Sequence, residues 1–408
     1  MLKSLLLSAL LAVGAVAPGE PADPEYRLVV VSESGDIITW IRVKDGKLES
    51  ERVVPIGIMP ADIDGPHNVT IAPDNRSYYV SVAHGTPYGS LWRLDAFNDT
   101  LIGRAPVELF PTTISVTPDG ELAFVANSDF YGDRPRVNPL SIVHTPTMTT
   151  ITNLPVCDMP HGVKVNHAGS TVYVSCMHSD ELLELDISTL SVVRRVKTGS
   201  GHAGTGGGHD MDAHKATSAA PPVTPPAAPA SASAPTPAGS SEHAGHDMST
   251  MPMTGAKGGP DLSKECAPTF VSVSPDDKFL YAACNVGYTL QVWDAASMTF
   301  IKELPTGKGA YNVEPSPDGK FVIVTNKKDQ SISVFDARTL TEVARIPTTK
   351  KIVHGVAYSP DSKLAFITQE SIGADPGAVD MIDLTTLKNI GTIAVPAQPT
   401  GISTWRKP

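Results

Sequence analysis

The side chains best suited to soft-metal chemistry, imidazole and thioether, crowd into one stretch of this sequence. His202, His209, His214, His243 and His246 stand there with Met211, Met248, Met251 and Met253. The tetrapeptide GHDM occurs at 208–211 and again at 245–248, on either side of a Pro/Ala/Ser spacer. Thioether favours Cu(I), imidazole takes Cu(I) and Cu(II), and hard cations such as Mg or Ca want oxygen cages. A copper ion is therefore the expected ligand, shared between the two clusters or bound at each. The competing reading is a low-complexity decoration whose His and Met are incidental. Against it stands their packing at the two ends of the spacer, since both types are sparse elsewhere. Such a composition buries no core and is expected to be disordered.

The elements around this stretch repeat. HNVTIAPDNRSYYVSV, TTISVTPDGELAFVAN, HGVKVNHAGSTVYVSC, TFVSVSPDDKFLYAAC, YNVEPSPDGKFVIVTN and HGVAYSPDSKLAFITQ each read as strand, turn, strand. A third strand ending in Asp follows (SLWRLD, ELLELD, TLQVWD, SISVFD, AVDMID), then a fourth. Alternating apolar residues bounded by Pro, Asp and Gly mark short strands, so each unit is a four-stranded meander. The central residues Val69, Ile114, Val163, Val271, Val313, Val356 and Ile402 are 42 to 49 residues apart, with one gap of 108 that holds the His/Met stretch. Four strands at this period predict an all-β, seven-bladed β-propeller. Residues 26–200 make blades 1 (in part) to 4, and 201–262 form the insert. Residues 263–408 make blades 5 to 7 and return PTGISTW as the inner strand that the N-terminal strands of blade 1 lack.

These repeats, above all PHGVKVNHAGSTVYVSCMHSDELLELDISTLSVVRRVKTG and SPDGKFVIVTNKKDQSISVFDARTLTEVARIPT, resemble the YVTN-type repeats of exported bacterial propellers. The resemblance spans Tyr26 to Trp405 apart from the insert. It implies the seven-bladed fold and says little of function, because the architecture hosts binders, enzymes and scaffolds alike.

In such a ring the residue entering each inner strand lies at the channel mouth: His67, Thr112, His161, Thr269, Tyr311, His354 and Thr400. The ends of the second strands, including His84 and Cys176, share that face, with His178 just beyond. His67, His84, His161, His178 and His354, with Met159 and Met177, form a second candidate site for metal binding or acid–base chemistry. The plain alternative is that the rings hydrogen-bond adjoining loops. His144 and His167 are expected to be structural or solvated. The insert leaves between blades 4 and 5, over the same mouth.

In each of two blades one Cys precedes the inner strand and another ends the second strand, so antiparallel pairing brings Cys157 near Cys176 and Cys266 near Cys284. Both pairs are expected as disulfides, usual in an exported chain. CDMPH and CMH also admit a soft-metal site through the thiols, and the two readings exclude one another.

Residues 1–22, with one Lys and an apolar run from Leu5 to Val16, read as a signal peptide, which places the protein in the periplasm or outside the cell. No later segment is apolar for the length of a membrane span. A net charge of −11 without a basic run argues against nucleic acid. There is no CxxCH motif for c-type haem. The functional expectation is a monomeric, metal-binding propeller for capture, buffering or delivery of copper, with a protein partner at the mouth. The alternatives are a plain interaction scaffold and a propeller enzyme, either lactonase-like or related to haem and copper oxidoreductases.

Overall fold

The computed structural model describes residues 26–57, 64–84, 89–130, 137–199, 265–371 and 374–408. The predicted signal peptide and the whole insert, with its nine His and Met residues, lie outside them.

Seven four-stranded antiparallel sheets form the ring. Six are continuous in sequence. The seventh is closed by the C-terminus, where Pro399–Arg406 pairs antiparallel with Tyr26–Ser32 and supplies the inner strand of blade 1. Closing the ring in this way pairs both ends of the described chain and leaves only the short outer strand of each blade as an edge.

Local chemistry sets the blade turns. In the Ser-Pro-Asp-Gly copies the hydroxyl of Ser316 donates to Asp318 and accepts from the amide of Phe321, which tightens the hairpin between first and second strands. At the ends of third strands Asp186, Asp294 and Asp336 accept amides two or three residues on and begin the next turn. Between blades the core is Val, Ile, Leu and aromatic side chains, such as Trp40 and Tyr78 packed edge-on at 5.5 Å.

One hydroxyl per blade ties the ring together at the mouth. In blades 2, 4, 6 and 7 it sits on the second strand. Ser81 donates to the carbonyl of Thr112, Ser175 to Thr269, Thr325 to His354 and Thr368 to Thr400. In blades 3, 5 and 1 that strand carries Ala126, Ala283 or Val31, and the mouth residue donates instead. Thr112 reaches the carbonyl of His161, Thr269 that of Tyr311 and Thr400 that of His67. The consequence is a division of labour. Where the second strand holds the hydroxyl, the mouth position need not supply one, and those four positions are His67, His161, Tyr311 and His354.

A second regularity aims them. The residue two before each mouth residue has a positive φ: Gly65, Phe110, Met159, Ala267, Gly309, Ile352 and Gln398. Each left-handed step turns the chain into the channel. At Gly65 no side chain is tolerated, because a Cβ would lie 2.0 Å from the His84 ring.

Candidate functional site

The four released positions converge on the axis. The rings of His67 and His354 are 5.6 Å apart, those of His67 and His161 6.3 Å, and Tyr311 packs on His354 at 4.6 Å and on His161 at 5.4 Å. All three histidines are buried, at 6%, 1% and 2% exposure. Around them stand two carboxylates, Glu33 and Glu370, and one ammonium, Lys327. With Phe110, Phe130, Gln398 and Thr400 these residues enclose a cavity of about 10 Å³, the room of one water.

Hydrogen bonds set the tautomers. His161 Nδ1–H donates to the carbonyl of Thr269 at 3.0 Å, so Nε2 holds the lone pair and accepts the hydroxyl of Tyr311 at 3.1 Å. Burial, helped by His67 and Lys327, depresses the pKa of His161 to about 3, and burial holds the Tyr311 phenol well above its usual range. Both are neutral. His67 Nδ1 faces Glu33 Oε2 at 2.8 Å, and His84 Nε2 reaches the other oxygen at 3.2 Å. Burial alone would raise the pKa of Glu33, but His67 and His84 overrule it and hold the carboxyl well below its ordinary value. Glu33 is therefore ionised and orients His67 from behind.

That leaves nitrogen atoms without a hydrogen bond, His354 Nε2 standing 3.8 Å from Glu370 Oε1. His67 Nε2 and both ring nitrogens of His354 are buried without a hydrogen-bond partner. His354 is pushed well below the usual imidazole range by burial and then by Lys327; the Thr400 carbonyl beside it, outside hydrogen-bonding geometry, opposes this only in part. A neutral ring always presents one lone pair. Lys327 pairs with Glu370 at 2.7 Å and lies over the Tyr311 ring at 4.2 Å. Burial nevertheless raises the pKa of Glu370, against the pull of Lys327.

The other expected residues divide. His84 belongs to the site through Glu33, whereas His178 stands apart, 3.7 Å from Asp158. Met159 and Met177 pack with Ala83, Phe110 and Phe130 in an apolar cluster. Cys157–Cys176 and Cys266–Cys284 are disulfides and no described cysteine is free, so the thiol-based metal site is excluded. His167 pairs with Asp277 at 2.8 Å and His144 with Thr147 at 2.7 Å, both exposed. Sequence reasoning missed Glu33, Glu370 and Lys327. Each lies just past the end of a second strand, and that shared position was the available signal.

The two roots of the insert are pinned at this mouth. Asp180 accepts the Thr198 hydroxyl before it and the amides of Glu265 and Ala267 after it.

The sequence matches the model of the cytochrome D1 heme domain over residues 269–372, which carry Thr269, Tyr311, Lys327, His354 and Glu370. No curated protein matches it. Among solved structures the fold is similar to a putative 6-phosphogluconolactonase from Bacteroides uniformis, at TM-score 0.64 and 12% identity over 94% of this chain and 100% of that one. It is similar to Kuenenia stuttgartiensis hydrazine synthase at TM-score 0.54 and 19% identity, covering 80% of each chain. It is also similar to the dihydro-heme d1 dehydrogenase NirN in complex with DHE, at TM-score 0.51 and 15% identity over 96% of this chain and 78% of that one. At these identities the structural likeness establishes the propeller alone.

The haem implied by the family match does not fit between the described mouth residues. A cavity for one water cannot take a macrocycle, and the imidazole nitrogens that would ligate it are buried.

Proposed function

We propose that this protein is an exported, monomeric propeller that binds one metal ion, copper first, at the channel mouth. The His/Met-rich insert captures the ion, and the bound form is offered to a protein partner docking on the same face. The observation that carries this reading is the set of unpartnered nitrogens on His67 and His354 around a cavity of ionic size. Burying such atoms without partners costs about 1–3 kcal/mol each, which selection tolerates where the atoms have work to do.

The chemistry is consistent. A carboxylate on Nδ1 fixes the ring and raises the basicity of the opposite nitrogen, as in carboxylate–histidine–metal triads, and Glu33 stands in that relation to His67. A metal–imidazole bond is about 2 Å, so an ion between two rings needs nitrogens about 4 Å apart. Ring centres 5.6 Å apart permit it. Among the described residues no three His, Cys, Asp or Glu side chains already surround an ion. The mouth thus offers two imidazoles and leaves coordination open, which suits an ion that arrives and leaves. Imidazole suits Cu, Zn, Fe and Ni alike; the thioethers of the insert favour copper. Two disulfides beside the insert roots agree with an oxidising compartment.

The test is Cu(I) and Cu(II) competition binding on metal-stripped mature protein, beside a form lacking 201–262 and the double variant His67→Leu/His354→Leu. Loss of capacity in the first and of the tightest ion in the second supports both halves of the reading. Absence of copper in every form refutes it.

A second reading, an enzyme of the haem d1 type, is favoured by the family match over residues 269–372. It requires a seat outside the described residues. A haem-like absorption spectrum on protein loaded with haem d1, unchanged by His354→Leu, would favour it.

A further inference from the structure

The channel does not end at the histidines. Phe270 packs edge-on against His161 at 5.1 Å and tilts against Tyr311 at 5.5 Å, and it partitions the axis. Behind it a chamber of about 330 Å³ opens on the opposite face, lined by all seven inner strands. That volume lies within the range of small-molecule sites.

The lining follows from register. Residues one and three positions after each mouth residue face the channel. The nearer layer carries Asn68 and Asn312, and three glycines there let the inner strands approach; a Cβ on Gly162 would lie 2.7 Å from the Cα of Phe270. The deeper layer holds hydroxyls and two charges, Lys164 and Glu314. These two charges pair across the channel at 2.5 Å, and Ser272 satisfies the second carboxylate oxygen at 3.0 Å. Among the described residues no other charged side chain lines the chamber. The Asn312 side-chain amide hydrogen-bonds to no described residue, and the Asn68 side chain uses only its oxygen, accepting the backbone amide of Ile114 at 3.3 Å.

We infer that this chamber is a second binding site, for a neutral polyhydroxy molecule of monosaccharide size. The balanced ion pair gives the chamber no net charge with which to hold an anion or a cation. The side-chain NH2 of Asn68 and the whole side-chain amide of Asn312, with the surrounding hydroxyls, present both donors and acceptors, as a ring of sugar hydroxyls requires. The Phe270 ring supplies an apolar floor. The site is independent of metal binding at the mouth.

The experiment is calorimetric titration of the mature protein with D-glucose, D-galactose and D-mannose, with gluconate and glucosamine as charged comparators. One neutral hexose should saturate with a Kd below about 1 mM. Asn312→Ala, and separately the paired change Lys164→Met/Glu314→Leu that leaves no lone charge, should each weaken binding at least tenfold. His178→Ala, on the mouth face beside Asp158 and outside the chamber lining, should leave it unchanged, and near-ultraviolet circular dichroism checks that every variant is folded. No saturation by any neutral hexose, tighter binding of a charged comparator, or indifference to both chamber changes would overturn the inference.

Discussion

Replacing His354 by leucine should make the protein more stable and less able to bind metal. Both ring nitrogens of His354 are buried at 2% exposure with no hydrogen-bond partner, Glu370 Oε1 standing 3.8 Å from Nε2. An unmet polar group costs about 1–3 kcal/mol, so an apolar side chain of similar size should recover about that much at pH 7.5. The pH dependence sharpens the test. Burial holds the native pKa of His354 well below the ordinary value of 6.5. Below pH 6.5 the unfolded chain takes a proton that the native ring refuses, so the unfolded state binds more protons and stability falls with falling pH. The slope approaches about 1.4 kcal/mol per pH unit, which amounts to roughly 2 kcal/mol between pH 7.5 and 5.0. His161, depressed to about 3, acts in the same sense, whereas Glu370, raised by burial, acts in the opposite one. Both remain in the variant and cancel in the comparison. Guanidinium unfolding followed by circular dichroism at pH 7.5 and 5.0, on metal-stripped wild type and His354→Leu, reads both effects. A variant destabilised by more than about 2 kcal/mol at pH 7.5, or one with unchanged acid sensitivity, would show that His354 is an ordinary satisfied core histidine.

The inter-blade hydroxyls give a compensation test: Thr368→Ala should cost about 1 kcal/mol, and adding His354→Thr, which gives up no ring hydrogen bond, should restore at least that much, because threonine at the mouth does that work in blades 1, 3 and 5. Denaturant midpoints of the single and double variants decide it. Glu370→Gln strands the Lys327 ammonium and should cost about 3–5 kcal/mol, whereas Lys327→Met/Glu370→Leu should be near neutral; thermal unfolding separates them. Glu33→Gln should weaken copper binding about 10- to 100-fold by removing the carboxylate behind His67, as measured by competition with a chelator. Reduction of the two disulfides should lower stability by about 2–4 kcal/mol for each loop closed, read as a fall in melting temperature with added reductant.

The repeat, the blade count, the split closure and both cysteine pairings were legible because each rests on local pattern. Alternation marks strands, Pro-Asp-Gly marks turns, and a fixed period counts blades. The mouth histidines were legible through register alone. The exchange of a hydroxyl between Ser175 or Thr325 and the mouth threonines was also written in the chain, as one Ser or Thr per blade at one of two places. Its meaning needed the carbonyl of the next blade, which lies about thirty residues away or, across the insert, over ninety.

Only the tertiary structure decided which nitrogens are satisfied. Glu33 comes from the first blade in sequence and Glu370 from the last, and ring closure brings both to the same cavity. Lys327 is buried there because Glu370 and the Tyr311 face compensate it. The left-handed steps at Phe110, Met159, Ala267, Ile352 and Gln398 carry no glycine signature, since they are imposed by the turn into the channel and not by the residue that makes it. Met159 and Met177 look like ligands by type and spacing, yet packing commits them to Phe110 and Phe130. Residue type announces what a side chain can bind; burial and the neighbours that folding supplies determine whether anything is left for it to bind.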